Sequence, residues 1–249
     1  MGYRIAGESD PGAVRDSNQD TIFWHVSDDG GQALLVVADG MGGYQGGEIA
    51  SQLAVEAVRE ALIPALEAAA PPAPEAVREQ LDTAFVLANE RIQTRRAEEV
   101  QLEKMGTTLV VAWLINHRAH IAHIGDSRCY RIRQDEPVCL TRDDTVVQNM
   151  LDDGSITEAD APHVPFRNVL TRAVGAMDQA VPSYHCEDLV GGDCLLLCSD
   201  GLTNAVADSG WPELVVAADT LDDAARALIE TSLDNEAADN VSVVLLTLQ

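Results

Sequence analysis

Four aspartates stand where apolar runs begin or end. Asp39 follows Ala33 to Ala38, Asp126 follows the run Arg118 to Ile124 and Gly125, Asp200 follows Asp193 to Ser199, and Asp239 precedes Val241 to Leu248. A carboxylate at the edge of a buried strand is held by a rigid element and cannot stay charged there without a partner. If the strands bring these ends together, like charges crowd one cleft, and they all ionise only around a cation. Hard oxygen donors suit Mg²⁺ or Mn²⁺, whereas zinc would prefer histidine and cysteine. Two such ions about 4 Å apart would bridge a water, lower its pKa and aim it at phosphorus. Phosphate monoesters hydrolyse very slowly unaided, so neutralising charge is the main requirement. Arg15, in the polar loop from Asp10 to Asp20, offers a guanidinium fork for phosphoryl oxygens. The competing reading pairs Arg15 with Asp16 on the surface.

Other signals narrow the chemistry. Gly40, Gly42, Gly43, Gly46 and Gly47 form a glycine-dense turn after Asp39. It is not a P-loop, since no Gly-Lys-Ser/Thr closes it, and it lacks the dinucleotide-binding order of glycines. An Asp-Gly pair alone is also an ordinary turn; the recurrence at Asp200-Gly201 makes it a pattern. His117, His120 and His123 lie along a strand hairpin without zinc-type spacing and read as structural or surface residues. Cys129, Cys139, Cys186, Cys194 and Cys198 include no C-x-x-C, and several sit in apolar runs, so they read as reduced core thiols. None is followed six residues later by arginine, which excludes the C-x₅-R phosphatase loop.

These residues must be positioned by something. The chain has 249 residues, 46% of them hydrophobic, enough for one large domain over 1–249. The net charge of −25 repels nucleic acid and anionic membrane. The N-terminus lacks a basic segment followed by an apolar stretch, Ala6 breaks the myristoylation pattern, and no 18-residue apolar run occurs, so a cytoplasmic protein is expected. Strands are expected at Tyr3 to Glu8, Thr21 to Val26, Ala33 to Ala38, Gly106 to Ile115, Arg118 to Ile124, Arg128 to Arg133, Asp193 to Ser199 and Val241 to Leu248. Ile49, Leu53, Ala57 and Ala61 repeat at helical spacing up to Pro64, and Val77, Leu81, Phe85, Ala88 and Ile92 form a second stripe. Ala97 to Met105 reads as loop, Asp144 to Leu151 as a short helix, and Leu221 to Leu233 as a helix with Ala225, Leu228 and Ile229 inward. The stretch 154–167 is long for a connection and contains Pro162 and Pro165. Two packed sheets with helices outside them would bury these runs.

Several ordered motifs now coincide: Gly12-Ala-Val-Arg15-Asp-Ser-Asn-Gln-Asp20, Val37-Ala-Asp39-Gly-Met-Gly-Gly43, Gly106-Thr-Thr108, Ile124-Gly-Asp126-Ser-Arg128, Asn168-Val-Leu-Thr-Arg-Ala-Val-Gly175, Cys198-Ser-Asp200-Gly-Leu202 and Asp239-Asn-Val-Ser242. Nearly end to end, the chain resembles the metal-dependent serine/threonine protein phosphatases of the PPM family, type 2C. The resemblance implies an α+β fold, a four-layer α-β-β-α sandwich of two mostly antiparallel sheets flanked by helices. It implies that Asp39 bridges two Mn²⁺ or Mg²⁺ ions, that the Gly40 carbonyl binds one, and that Asp200 and Asp239 complete the other shell. Asp126 with Asp200 matches the third-metal site of bacterial members, Arg15 the phosphate arginine, and Asp20 the acid that contacts metal-bound water. The stretch 154–167 corresponds to the flap. Gln19 and Met41 depart from the family's glutamate and from the histidine of many eukaryotic members, and agree with the bacterial branch. With Met41 unable to protonate a leaving group, metal-bound water or His163 in the flap is the candidate acid; the favoured reading of His163 is a flap residue that stabilises the loop. The implied partners are phosphorylated Ser/Thr proteins and a cognate eukaryote-like Ser/Thr kinase, acted on by a monomer. The alternative is a catalytically weak module of the same fold that binds phosphoproteins.

Overall fold

The computed structural model describes residues 2–42 and 46–248. Gly43, named above in the glycine turn, lies outside them. In chain order the first half holds β1 (Tyr3–Asp10), β2 (Asp20–Val26), β3 (Gln32–Met41), α1 (Gly46–Leu66), α2 (Pro74–Glu98), β4 (Gly106–Thr107), β5 (Leu109–Ile115) and β6 (Arg118–Ile124). The second half holds β7 (Arg128–Arg133), β8 (Glu136–Cys139), α3 (Val146–Asp152), β9 (Ser183–Asp188), β10 (Cys194–Cys198), α4 (Asp200–Ala205), α5 (Trp211–Ala217), α6 (Leu221–Asp234) and β11 (Val241–Leu248). One sheet has the order β1-β11-β10-β7-β8 and the other β2-β3-β5-β6-β9, with β4 added alongside β3. The strand pairs are antiparallel.

The apolar runs are continuous because both faces of each central strand are covered. On β3, Ala33, Leu35 and Val37 face the space between the sheets, where they join Val110, Ala112, Leu195, Leu197, Val244 and Leu246. Leu34, Val36 and Ala38 point the other way, onto Ala54, Val58, Leu81 and Phe85 of α1 and α2. Cys198, Leu196, Val243 and Leu245 pack outward onto Leu228 of α6 and Trp211 of α5. The period of two along a strand thus builds three apolar layers and a four-layer sandwich.

Three local expectations change. The face of α1 that meets the sheet is Ala50, Ala54, Ala57, Val58 and Leu62, while Ile49, Leu53 and Ala61 are only partly buried. Small alanines let this helix lie close to β3, so the largest side chains fall to the flanks. Pro64 sits inside α1, which continues to Leu66; near a helix end a missing N–H forfeits one bond without stopping the chain. Much of the expected loop 97–105 is ordered, since α2 runs to Glu98 and a 3₁₀ turn follows at Val100–Leu102. The stripe of α2 and that of α6 bury as expected.

Candidate active site

The strand ends that carry the four aspartates open on one cavity of about 590 Å³. Arg15, Asp39, Gly40, Asp126, Asp200 and Asp239 line it, together with Asp16, Met41, Thr108, Asn168, Leu170 and Asn240.

Each carboxylate is fixed through its neighbours. The Asp39 N–H donates to Thr108 Oγ1 at 3.0 Å, and its carbonyl accepts from the Thr108 N–H at 2.8 Å and from Thr107 Oγ1 at 2.8 Å. Thr108 Oγ1 also lies 2.7 Å from Ser127 Oγ, beside Asp126. The Asp126 turn is held from the other side by Asp144, whose Oδ2 accepts from the Gly125 N–H at 3.0 Å and whose N–H donates to the Gly125 carbonyl at 3.0 Å. Arg128 then grips Asp143 through two parallel bonds, Nε to Oδ1 at 2.8 Å and Nη2 to Oδ2 at 2.7 Å. Asp200 opens α4 and accepts from Asn204 Nδ2 at 3.1 Å. Asp239 accepts from Arg15 Nη2 at 2.8 Å and from the Asn240 N–H at 2.9 Å.

Asp20 stands behind this wall rather than in it. On β2 it pairs in register with Asp39 on β3, so both side chains share a face. Only 9% of it is exposed. Ser199 Oγ and Ser242 Oγ, from the opposite sheet, donate to its Oδ2 at 2.8 and 2.7 Å, and its buried Oδ1 has no partner. The two Asp-Gly pairs share a reason: a Cβ on Gly40 would stand 2.0 Å from the Gly47 carbonyl, and one on Gly201 would stand 2.0 Å from that of Asn240. The glycines admit neighbouring backbone.

The field of the site is strongly negative. Burial, reinforced by the Asp20, Asp200, Asp126 and Asp239 carboxylates, raises Asp39 well above the usual carboxylate range. Burial, with Asp200 and Asp143 beside it, pushes Asp126 up to about 8. Asp200 is raised by burial and by Asp239. Asp20 is raised to about 6 by burial, against the lowering effect of its two serine bonds. Among the described residues no group of three acidic, histidine or cysteine side chains is drawn close enough to hold a metal ion by itself. The carboxylates line the cavity wall, and Arg15 neutralises Asp239. The donor set still fits a hard divalent cation: it is all oxygen, it carries more negative charge than Arg15 and Arg128 offset, and Asp20 Oδ1 is buried without a partner.

A second cavity of about 250 Å³ shares Asp126, Asn168 and Asp200 with the first, and Glu158, Ala161, Pro162 and Arg167 also line it. The segment between α3 and β9 therefore borders the site. Its limbs are joined at the root: the Val146 N–H donates to the Val169 carbonyl at 2.9 Å, the Thr171 N–H to that of Asp144 at 2.7 Å, and Thr145 bridges Leu170.

Six of the seven residues singled out in the sequence thus meet at one cavity, with Asp20 directly behind. Arg15 pairs with Asp239, not with Asp16. His163 is exposed and lines neither cavity, which removes its support as the leaving-group acid. His120 and His123 are buried and bonded to the Tyr184 hydroxyl and the Arg142 carbonyl, as structural residues. Cys129, Cys194 and Cys198 are core thiols, but Cys139 and Cys186 are exposed, being on short or edge strands with an uncovered face. Thr108, Asn168 and Asn240 stood inside the recognised motifs without a role; no spacing rule marks them, because their contacts are tertiary.

A family model described as protein phosphatase 2C matches residues 13–241. The chain belongs to that family. Over 97% of its length it is 37% identical to the serine/threonine protein phosphatase PstP of Mycobacterium tuberculosis, of which it spans 44%. Over 96% of its length it is 33% identical to the protein phosphatase PhpP of Streptococcus pneumoniae, of which it spans 95%. The crystal structure of the PstP catalytic domain in complex with two manganese ions superposes with a TM-score of 0.84 at 34% identity, covering 98% of this chain and 97% of that one. The two antiparallel sheets flanked by helices are the protein phosphatase 2C fold. Among the described residues no helix is long and apolar enough to cross a membrane.

Proposed function

We propose that this chain hydrolyses phosphoserine and phosphothreonine on proteins, with two divalent ions held by Asp39, the Gly40 carbonyl, Asp200 and Asp239, and a third by Asp126 with Asp200. The observation that carries this reading is the meeting of these donors, from four separate strand ends, with Arg15 in one cavity. Mn²⁺ or Mg²⁺, when bound, supplies charge neutralisation and a water of lowered pKa. The chain's own groups do the rest. Arg15, released from Asp239, grips two phosphoryl oxygens and orients the ester. Asp20 is held rigidly by Ser199 and Ser242 behind the metal-binding acids, where its unpartnered Oδ1 would orient a metal-bound water. The segment 154–167 acts as a flap that shapes access for the polypeptide. As PstP and PhpP are named protein phosphatases, the substrates proposed here are phosphoproteins. We place residues 1–249 in the cytoplasm as one phosphatase domain, acting as a monomer, that opposes a eukaryote-like Ser/Thr kinase.

The test is turnover of a phosphothreonine peptide and of p-nitrophenyl phosphate by the purified chain. Activity that requires added Mn²⁺ or Mg²⁺ and disappears with EDTA supports the reading. Binding of phosphopeptide without phosphate release, at saturating Mn²⁺, would establish the non-catalytic alternative instead.

A further inference from the structure

Asn240 makes three side-chain hydrogen bonds to the loop that carries Arg15, beside the single bonds that Asn18 makes to Ser9 and Ser51 makes to Gln19. Asn240 is 5% exposed. Its Oδ1 accepts from the Gln19 N–H at 2.8 Å, and its Nδ2 donates to the Pro11 carbonyl at 2.9 Å and the Ser17 carbonyl at 2.9 Å. One amide thus ties the start of the segment 11–19, at Pro11, to its end, at Ser17 and Gln19, with Arg15 in the span between. Two further contacts press the loop onto the same strand approach. The Ala13 N–H donates to the Ala237 carbonyl at 2.9 Å. Gly12, at φ +79°, lies so close that a Cβ there would stand 2.1 Å from the Asp239 carbonyl.

The chemistry of the clamp specifies the residue. It needs one acceptor and two donors on a short side chain, which only asparagine supplies at that reach; aspartate offers acceptors alone. Asn240 also follows Asp239 directly and donates its own N–H to Asp239 Oδ1. The carboxylate and the arginine that meets it are therefore referenced to one residue, and Arg15 itself is half-exposed and meets Asp239.

We propose that Asn240 is a positioning residue for phosphoryl transfer: it holds the 11–19 loop so that the Arg15 guanidinium meets the phosphate at the Asp239 side of the cavity. The inference rests on the phosphate-gripping role proposed for Arg15. It makes Asn240 act through Arg15 and not on the reacting atoms. A misplacement of about 1 Å in such a group costs up to about a hundredfold in rate.

The experiment is a double-mutant cycle of Asn240→Ala and Arg15→Ala on the Mn²⁺-loaded chain, with hydrogen exchange of the 11–19 peptide in the ion-free protein. Asn240→Ala is expected to raise KM for a phosphothreonine peptide and lower kcat/KM by about ten- to a hundredfold, and to speed exchange at the Ala13 and Gln19 amides. In the Arg15→Ala background it should bring little further loss in kcat/KM. Asn240→Asp should fail to rescue, because both donors are gone. Should Asn240→Ala not fold, Gly12→Ala attacks the same seam from the loop side and is expected to give the same non-additivity. Full multiplication of the two losses, or unchanged exchange at 11–19, would overturn the proposal. If Arg15→Ala alone leaves KM and kcat untouched, it is the phosphate-gripping role that falls, while the exchange data still decide whether Asn240 orders the loop.

Discussion

Arg15 Nη2 lies 2.8 Å from Asp239 Oδ2 although 224 positions separate them in the chain. The pair is about half exposed on both sides, so it contributes little to stability, as exposed ion pairs do. Its meaning is electrostatic: the guanidinium that would grip phosphate sits against a carboxylate that would hold an ion.

Replacing Arg15 by alanine should therefore separate function from folding. The expected change in urea-denaturation stability is within about 1 kcal/mol, while KM for a phosphopeptide rises by about tenfold or more. Arg15→Lys should recover only part of this, since a lysine cannot form the two parallel bonds. Equal losses of stability and activity would mean that the loop, and not the guanidinium, matters.

Asp39→Asn removes one charge from a crowded set. Asp39 is raised by burial and by the four neighbouring carboxylates, so the ion-free protein should melt higher than the parent. Turnover at saturating Mn²⁺ should fall by about a thousandfold or more, in the range seen when a main electrostatic group is lost. Calorimetric melts with and without Mn²⁺, beside a turnover assay, check both halves. A variant that melts lower without ions would show that repulsion is not stored at Asp39.

The pH dependence follows from the same crowding. Asp20 rises from 3.8 to about 6 and Asp126 from 3.8 to about 8 in the folded chain. The folded state thus binds more protons than the unfolded one between these values. The stability these groups contribute is complete below about pH 4 and is lost as pH rises through 6 and 8. For Asp20 alone the change is roughly 3 kcal/mol. In EDTA the melting temperature should fall from pH 5 to pH 8.5, and Mn²⁺ should abolish or reverse the fall. A flat profile in EDTA would contradict it.

The Arg128–Asp143 pair should be the costly one to break. Arg128 is about two-thirds buried at its side chain and Asp143 nearly fully. Arg128→Met leaves Asp143 beside Asp126 without its cation, and the expected loss is about 2–4 kcal/mol, discounted for the partial exposure of Arg128. Adding Asp143→Leu should restore much of it. Urea denaturation of the two variants decides, and a double variant no better than the single would place the loss elsewhere.

The strands β3, β5, β10 and β11 were legible because both faces of each are buried, which writes an unbroken apolar run. The short strand β8 was not. It is reached through Gln134 and Asp135 at φ 50° and 64°, a left-handed turn without the glycine or asparagine that usually signals one. On α1, alanines close to a sheet carry less hydrophobic signal than the larger residues flanking them, so of Ile49, Leu53, Ala57 and Ala61 only Ala57 is fully buried. The four aspartates were visible as charges misplaced at the ends of apolar runs. Thr108 and Asn240 had no such contrast. Their partners lie 69 and 221 positions away, and only the packed sheets bring those distances to 3.0 and 2.8 Å.

The zipped root of the segment 154–167 has a further consequence. Bonds at Val146–Val169 and Asp144–Thr171 close the two limbs before the tip begins, and Asp144 is also what steadies the Asp126 turn. The tip is a cassette on a sealed collar: its length and composition can drift, or be exchanged by design, while the acids below keep their places. If this segment is the flap proposed above, new targets can be met at its tip while the root keeps the Asp126 turn in place.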